Sequence, residues 1–329
     1  MSSLCLIAWI ASMKSKNIFH IFMSVTWLSG LIYYMLGQLL ETRDSVCTHS
    51  QISNNLAFDR GHAEDSQLLL DLGFTENPHL YPEAYRINDN LPVFILTLEK
   101  HQVDSLYGFI SNFKFYYPGK RLIIYSIDLQ EEEIDVVKET CHCQVRHVDW
   151  ERYPSHVHNK QHFHAYRPIL IQETLMEFGI VFWCDVMMRF MSSDLSPYMT
   201  QAKRSGVITW WRQQYPTSAL THYNMFRYFN TNNTNFYFQR AAQPNMALLV
   251  NSRRVHTELM LPWIRCCLDR ECIAPRGSQP GGCNFMHKPK YIYAGCHHYD
   301  ISAYNIILGQ MFEMETPYLG SDKLFTTVN

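Results

Sequence analysis

From Leu91 onward, short apolar segments alternate with stretches of helical periodicity, and this alternation restricts the fold more than any other feature. The apolar segments predict strands at Val93–Leu98, 122–127, 143–148 and Ile180–Trp183. Between them, helical stretches begin near Val103, at the acidic residues 131–133 and at 165, and Pro168 and Gly179 suit the start and end of the last one. Strand–helix units in series predict an α/β fold with a mostly parallel, doubly wound sheet.

Composition excludes several classes of protein. The chain has 329 residues, of which 47% are hydrophobic and 18% charged, so it is not a disordered, collagenous or coiled-coil protein. Its 28 basic and 30 acidic residues are spread along the chain and give a net charge of -2. Because nucleic-acid binding requires a basic stripe or patch, we expect no nucleic-acid partner.

The stretch at 18–40 contains no Asp, Glu, Lys or Arg over 23 positions. As a helix it would extend roughly 35 Å, enough to cross a bilayer. Lys14 and Lys16 precede it, so the positive-inside rule predicts a cytoplasmic tail at 1–17, a signal anchor at 18–40 and a luminal remainder. A cleaved signal peptide is the alternative, but the apolar stretch is longer than usual and no clear cleavage site follows.

Beyond the predicted anchor, the composition separates a linker from a folded domain. Residues 41–90 are polar and irregular, which predicts a stem, and a single domain is expected at 91–329. The one sequon is Asn232-Asn233-Thr234, so Asn232 is a candidate glycosylation site if the domain is luminal.

Asp185 follows the last predicted strand of this series. Doubly wound sheets bind ligands outside the carboxyl ends of their strands, which is where this carboxylate should lie. It could hold a divalent cation that bridges phosphates, or accept hydrogen bonds from its own loop. Position alone does not decide between these two roles.

Several segments together resemble a metazoan, nematode-rich family of uncharacterised glycosyltransferase-like type II membrane proteins. They are LPVFILTLEK, YYPGKRLIIYSIDL, YPSHV, AYRPILIQETLMEFG, IVFWCDVMMRF, CIAPRGS and CHHYDISAYNIIL, within residues 91–315. The resemblance implies a GT-A-like domain, the nucleotide-sugar-binding fold of many glycosyltransferases, in the Golgi or another secretory-pathway membrane. The implied donor is a nucleotide sugar, most simply a UDP-sugar, and the implied acceptor is a glycan or glycoprotein.

One position departs from the pattern of the metal-dependent GT-A enzymes, which carry Asp-x-Asp. Here Met187 replaces the second carboxylate and cannot bind a hard cation. Three alternatives follow: Asp185 holds Mn or Mg with a later residue, Arg167 and Arg189 stabilise the leaving diphosphate without metal, or the site is inactive. A surface role is the alternative for Arg167.

Later residues are candidates for the remaining roles. The resemblance implies that Asn245, in NMALLVN, lines the donor and acceptor pocket, although it could simply begin a strand. His298 is a candidate third metal ligand or diphosphate contact. Asp300 could act as general base on an acceptor hydroxyl, or could cap the helix that follows.

Three other groups of residues admit two interpretations each. Six histidines between His142 and His164 could bind zinc, but no HExxH motif accompanies them. Five cysteines within 266–296 indicate disulfides in an oxidising lumen, and the odd total beyond the anchor leaves Cys184 as the expected free thiol. The Trp210-Trp211 pair could stack on a sugar or uracil ring, but paired aromatics are more common in a core strand.

Together these features predict a type II membrane protein whose luminal domain transfers a sugar from a nucleotide-diphosphate donor to a glycan or protein acceptor. The prediction from a different class is a catalytically silent binding or scaffold protein that retains the fold but lacks the second metal carboxylate.

Overall fold

The computed structural model describes residues 29–30, 63–81, 92–158, 163–279, 281, 283–321 and 324–327. The chain divides into two compact units, Met1–Ala63 and Glu64–Asn329. The predicted tail at 1–17 lies outside the described residues, as does the predicted anchor at 18–40 apart from residues 29 and 30, which are helical. Among the residues that the structure describes, no helix has both the length and the apolar composition needed to cross a membrane.

A six-stranded sheet organises the second unit. Its strands are β1 (Val93–Leu98), β2 (Leu122–Ser126), β3 (Gln144–His147), β4 (Ile180–Trp183), β6 (Val207–Pro216) and β7 (Arg240–Val250), in the order β3-β2-β1-β4-β7-β6. The first four are parallel to one another, and β7 is antiparallel to both β4 and β6. A second sheet pairs β5 (Met188–Phe190) with β8 (Phe325–Thr327) in antiparallel register. The prediction of an α/β fold with a mostly parallel sheet is confirmed.

Helices cover both faces of the main sheet. The α-helices are α1 (Ala63–Asp71), α2 (Val103–Tyr116), α3 (Glu131–Cys141), α4 (Tyr166–Phe178), α5 (Ser196–Ser205), α6 (Tyr223–Tyr228), α7 (Leu261–Leu268), α8 (Arg270–Ile273) and α9 (Tyr299–Met311), with a π-helix at Val255–Met260 before α7. Short 3-10 helices occur at Lys100–Gln102, Trp150–Arg152, Thr217–Ala219 and Asn233–Phe236.

Strand β1 shows why the sheet must be covered on both sides. Successive side chains point to opposite faces of a strand. Ile95 therefore joins one hydrophobic cluster, with residues of α4, α7 and α9, whereas Phe94 and Leu96 join a second cluster, with residues of α2, α3 and α5. A strand that is apolar at five of its six positions is stable only between two layers of helices.

The ends of α4 follow the local chemistry that the sequence predicts. Pro168 lies in the first turn, where the proline nitrogen has no hydrogen bond to lose. Gly179 adopts a left-handed conformation with φ of 75° and ends the helix with its N–H bonded to the carbonyl of Leu175. Glycine suits this position because it has no Cβ to clash.

Part of the segment predicted as a stem instead packs into the domain. Leu69 and Leu72 belong to the hydrophobic core, so α1 lies within the folded unit. Gln172 donates a hydrogen bond to the Leu72 carbonyl at 2.9 Å, and Asn251 donates one to the His79 carbonyl at 2.9 Å. The folded unit therefore begins before Leu91, while 41–62 and 82–90 lie outside the described residues.

Disulfide bonds join cysteines that are close in sequence. The pairs are Cys141–Cys143, Cys266–Cys272 and Cys283–Cys296. Two of them lie in the cysteine-rich second half, where disulfides were predicted. Cys184, the predicted free thiol, is free and buried, and Cys267 is a second free buried cysteine.

Two glycines allow a test of how tightly the sheet and the π-helix pack. Gly206 has φ of 88°, and a Cβ on it would lie 2.4 Å from Cγ2 of Val255. Gly119 has φ of 71° but open space around it. We expect Gly119→Ala to cost about 1 kcal/mol of unfolding free energy, from backbone strain alone. Gly206→Ala should cost about 1–3 kcal/mol more, because Val255 must move. Urea unfolding of both variants measures the difference, and equal losses would contradict the close contact.

Candidate active site

The strand order changes direction beside β1, and this defines where a ligand can bind. From β1 the chain adds β2 and then β3 on one side, and β4 is then placed on the other side of β1. Ile95 is level with Trp183, and the N–H of Cys184 donates to the Ile95 carbonyl at 2.7 Å. A crevice outside the carboxyl ends of β1 and β4 is the usual ligand site of such a sheet.

Asp185 lies at this point, immediately after Cys184 at the end of β4. Its Oδ1 accepts a hydrogen bond from the N–H of Met187 at 2.8 Å, which fixes the carboxylate against its own turn. Within the described part of the chain, no hydrogen bond reaches the other oxygen, Oδ2. Asp185 therefore keeps one oxygen available for a cation or donor while the other holds the loop.

Met187 stands where a second carboxylate would lie in an Asp-x-Asp pair. Its half-buried side chain packs against the hydrophobic cluster that contains β1 and α2. The side chain thus supports the core beneath the turn, and the position adds no oxygen ligand to the site.

Glu99, at the end of β1, is a site residue that the sequence analysis missed. The hydroxyl of Tyr166 donates to its Oε1 at 3.4 Å, and Nδ1 of His101 lies 3.4 Å from its Oε2. His164 Nδ1 in turn contacts the Tyr166 hydroxyl at 3.0 Å. The signal was present, because Glu99 follows an apolar strand just as Asp185 does.

Arg167 and Asp300 form a buried ion pair beside the crevice. Nη1 of Arg167 donates to Oδ2 of Asp300 at 2.6 Å, and the side chains are 9% and 1% exposed. The Arg167 guanidinium lies 5.8 Å from the centre of the Trp183 ring, and Trp263 Nε1 donates to the Asp300 carbonyl at 3.1 Å. Burial raises the pKa of the Asp300 carboxyl, while the guanidinium acts in the opposite direction.

This pair bears on two predictions and on the alternative to each. Asp300 is buried and its Oδ2 is held by Arg167, which favours a structural role, and its assignment as general base stays a prediction. Arg167 bonds Asp300 through Nη1, so its role on a diphosphate stays a prediction, and its burial excludes a surface role. Asp300 does not cap α9, since the helix begins at Tyr299 and its N-cap residue is His298.

Arg189 is also committed within the protein. Its Nη1 donates to the carbonyls of Val186 and Met188 at 2.9 and 2.7 Å, and its Nη2 donates to the Ser105 carbonyl at 3.2 Å. The guanidinium therefore joins the turn after Asp185 to α2. The prediction that Arg189 clamps a diphosphate is not supported, because its terminal nitrogens already bind backbone oxygens.

Asn245 lies inside β7 and does not begin it, which corrects the prediction of a strand start. Thr209 pairs with Ala247, but Trp211 pairs with Gln243, so Pro244 and Asn245 form a bulge. Proline is tolerated in a strand at such a bulge, where a ladder hydrogen bond is already missing. Asn245 is half-buried, and its side-chain amide makes no hydrogen bond to the described residues, so the bulge offers this amide to a ligand.

His298 contacts the neighbouring strand. Its Nδ1 lies 3.2 Å from Nε2 of Gln213 on β6, which makes Nδ1 the acceptor. Burial lowers the pKa of the His298 imidazole, so the neutral form is favoured. Over the described ranges, the one group of three potential metal ligands combines His298 with Cys283 and Cys296, which are disulfide-bonded, and it does not include Asp185.

His297, next to it, is a structural residue with a defined tautomer. Its Nδ1 accepts from the N–H of His222 at 3.2 Å, so Nε2 must carry the proton that is donated to the Ile273 carbonyl at 3.0 Å. Burial lowers the pKa of His297 to about 3. The neutral ring thus fixes the segment before α9 against α6 and α8.

The histidines at 142–164 do not form a zinc site in the described part of the chain. His156 contacts the Cys267 carbonyl at 3.0 Å, and His158 stacks on Trp150 with ring centres 4.4 Å apart. His147 lies 3.6 Å from a carboxylate oxygen of Glu131. These side chains serve separate local contacts, and His162 lies outside the described residues.

Two further predicted residues have clear environments. Trp210 is buried and stacks on Phe182 with ring centres 5.4 Å apart, which supports a core role, not one in binding a sugar or uracil. Asn232 is exposed, and its side chain accepts a hydrogen bond from the N–H of Thr234. Surface exposure is compatible with glycosylation at Asn232, which stays a prediction.

Comparison with known proteins gives one family match and several structural matches. A family model described as "Protein of unknown function (DUF1647)" matches residues 58–172. No curated protein matches the chain in sequence.

The structural matches include three glycosyltransferases. Mouse xyloside xylosyltransferase 1 in its apo form is 12% identical, over 69% of this chain and 83% of that chain, with a TM-score of 0.41. The galactosyltransferase LgtC in complex with donor and acceptor sugar analogs is 10% identical, over 52% and 59%, with a TM-score of 0.30. The bifunctional glycosyltransferase WbbM in its apo structure is 9% identical, over 67% and 38%, with a TM-score of 0.40.

The buried ion pair can be tested by a double-mutant cycle. Asp300→Asn and Arg167→Met should each lower the unfolding free energy by about 3–5 kcal/mol, because each leaves a buried group without its partner. The double variant should lose less than the sum of the two. Urea unfolding of the four proteins measures the coupling. The exposed pair of Lys138 and Asp135 serves as control, since exposed pairs contribute about 0.5 kcal/mol or less. Additive losses at Arg167 and Asp300 would contradict the pairing.

His297 predicts a dependence of stability on pH. Its pKa is lower in the folded protein, about 3, than the ordinary value of 6.5, so the unfolded chain binds the proton more readily. Its contribution is complete above pH 6.5 and is lost as the pH falls towards 3, at up to about 1.4 kcal/mol per pH unit. His297→Gln removes the titrating group, so the variant should lose less stability than the parent between pH 7 and pH 4.5. Urea unfolding at both values tests this, and parallel losses would show that His297 is not the source.

Proposed function

We propose that this protein is a glycosyltransferase that moves a sugar from a nucleotide-diphosphate donor, most simply a UDP-sugar, to a glycan or protein acceptor. We also propose that it is a single-pass type II membrane protein of the Golgi or another secretory-pathway membrane. The second proposal rests on the uncharged segment at 18–40 and on the lysines that precede it.

One observation carries the proposed reaction: Asp185 lies where the strand order reverses, with Oδ1 fixed by Met187 and Oδ2 without a partner among the described residues. A nucleotide donor binds outside the carboxyl ends of such a sheet. The segment IVFWCDVMMRF, which carries Asp185, is among those that resemble glycosyltransferase-like proteins.

The residues at this point fit a divalent cation such as Mn or Mg. Magnesium is commonly held by one or two carboxylates together with phosphate oxygens of the substrate, so a single aspartate can suffice. Asp185 would hold the ion through Oδ2, and the bound ion would neutralise charge on the departing nucleoside diphosphate.

The two arginines favour this metal-dependent alternative among those open from the sequence. Nη1 of Arg167 is bound to Asp300, and the terminal nitrogens of Arg189 are bound to three carbonyl oxygens, so both arginines are engaged within the protein. An ion at Asp185 would then balance the charge of the leaving group. Asn245, whose amide has no partner in the described chain, is the remaining candidate for orienting an acceptor.

The same contacts favour a second candidate function, a catalytically silent binding or scaffold protein. A site without the second carboxylate of an Asp-x-Asp pair, and with Arg167 and Arg189 engaged elsewhere, supplies little stabilisation to a developing diphosphate. The two candidates differ in the role of Asp185. A transferase would bind a cation through Oδ2 of Asp185, whereas a silent protein would not require that oxygen.

Nucleotide binding discriminates between the two candidates. We expect UDP with Mn to raise the melting temperature of the full-length chain by about 5–10 °C at saturating concentration, because a ligand that binds only the folded state stabilises it. Asp185→Asn should abolish this increase, whereas Asp135→Asn, on the exposed face of α3, should retain it. A thermal-shift screen with UDP, GDP and CMP, with and without Mn, measures the effect.

Three results would change the proposal. A shift that does not require Mn would favour a metal-free site and a rearrangement that frees Arg167. No shift with any nucleotide, from a folded sample, would favour the silent protein. Binding without release of UDP from a UDP-sugar would separate donor binding from transfer.

A further inference from the structure

Stacked aromatic rings hold a loop at 283–296 against the ends of β6 and β7. Tyr215 stacks on Phe285 with ring centres 3.8 Å apart and planes within 5°, and Tyr237 packs on Tyr291 at 4.7 Å. The Cys283–Cys296 disulfide closes the loop, and Ser218 Oγ donates to the Tyr291 carbonyl at 2.6 Å. These contacts present the loop in a fixed conformation.

Around these rings lies a surface that is both apolar and cationic. It comprises Phe238, Arg240, Met286, Lys288, Lys290 and Tyr291, which we call the loop surface. All six are exposed, Phe238 by 91% and Met286 by 82%. No Asp or Glu occurs in the chain between Glu271 and Asp300, and Asp300 is buried. Exposed apolar side chains grouped with like charge mark an interaction site.

The loop surface is continuous with polar groups near the candidate active site. Arg240 Nε donates to the Gln213 carbonyl at 2.9 Å, and the Gln213 side chain contacts Nδ1 of His298. Nε2 of His298 makes no hydrogen bond to any described residue. A ligand on the loop surface that extends past Gln213 therefore reaches a free imidazole nitrogen next to α9.

We propose that the loop surface binds an anionic oligosaccharide, which, if the proposed function is correct, is the acceptor. The flat rings of Phe238 and Tyr291 can pack against the apolar face of a sugar ring. Lys288, Lys290 and Arg240 neutralise carboxylate or sulfate groups, and His298 meets a hydroxyl. The inference deepens the proposed function, but its chemistry depends only on the loop surface.

The polar Gln213–His298 pair beside the loop surface favours a saccharide over a lipid bilayer as the ligand. A membrane that covered Phe238 and Met286 would also remove water from the Gln213–His298 pair without supplying hydrogen bonds, which is unfavourable. A saccharide supplies hydroxyl groups at that point. The rigid stacking of the loop also suits a ligand of defined shape.

Direct binding tests the inference. The full-length chain is immobilised in neutral-lipid nanodiscs and exposed to a chondroitin sulfate hexasaccharide and to uncharged maltohexaose, without nucleotide or metal. We expect the sulfated probe to bind, more weakly as salt is raised, and maltohexaose to bind much more weakly. Lys288→Gln with Lys290→Gln should weaken binding of the sulfated probe roughly tenfold, and Phe238→Ser about fivefold.

Matched variants and competing probes complete the design. Lys114→Gln with Lys120→Gln, on the α2 side of the domain, should leave binding unchanged. Equal binding of polyglutamate would overturn the inference, because charge alone would then explain it. Binding of phosphatidylserine vesicles in place of the hexasaccharide would overturn it in favour of a membrane. Absence of binding to all probes would also overturn it, whereas nucleotide binding at Asp185 would be unaffected.

Discussion

The Arg167–Asp300 ion pair is the interaction on which the arrangement of the active edge depends. It joins the first turn of α4 to the first turn of α9, two helices that are 133 positions apart at these residues. Both helices contribute to the same hydrophobic cluster, and Trp183 at the end of β4 lies against the guanidinium. A buried charge pair is stable only while both partners remain in place, so the pair fixes the two helix starts beside the carboxyl end of β4.

The internal contacts of the two arginines determine which charged groups remain at the edge of the sheet. Arg167 and Arg189, the two arginines considered for the diphosphate, both make internal contacts: Arg167 with a carboxylate, and Arg189 with backbone carbonyls. The edge of the sheet is thereby left with carboxylates at Glu99 and Asp185. An acidic edge of this kind would attract a cation first and a phosphate only through it, which is the physical reason for proposing a metal-dependent site here.

The bounds of strands and helices that depend on neighbouring residues could be predicted from the sequence. The strands Val93–Leu98 and Ile180–Trp183 have the predicted bounds because apolar runs between turn residues have few alternatives, and α4 ends at Gly179 because only glycine adopts that conformation easily. Contacts between distant segments could not be predicted in this way. Nothing near Asp300 indicates that its partner is Arg167. The segment that contains α1 is polar and irregular, which predicts a stem, whereas the partners of α1 lie on α4 and beyond. Glu99 could have been predicted from its position after β1.

The bulge in β7 links the two halves of the candidate site. Thr209 pairs with Ala247 and Trp211 with Gln243, so Pro244 and Asn245 lie in a stretch of β7 that faces Trp210 alone, and Thr209 Oγ1 donates to the Gln243 carbonyl at 2.8 Å. Asn245 therefore lies in a segment of β7 that is not paired residue by residue with β6. From this point β7 leads back to Arg240 and the loop surface, and β4, its neighbour, leads to Asp185. One distorted strand therefore places the proposed acceptor region and the proposed donor region on the same edge of the sheet, as transfer between two bound sugars requires.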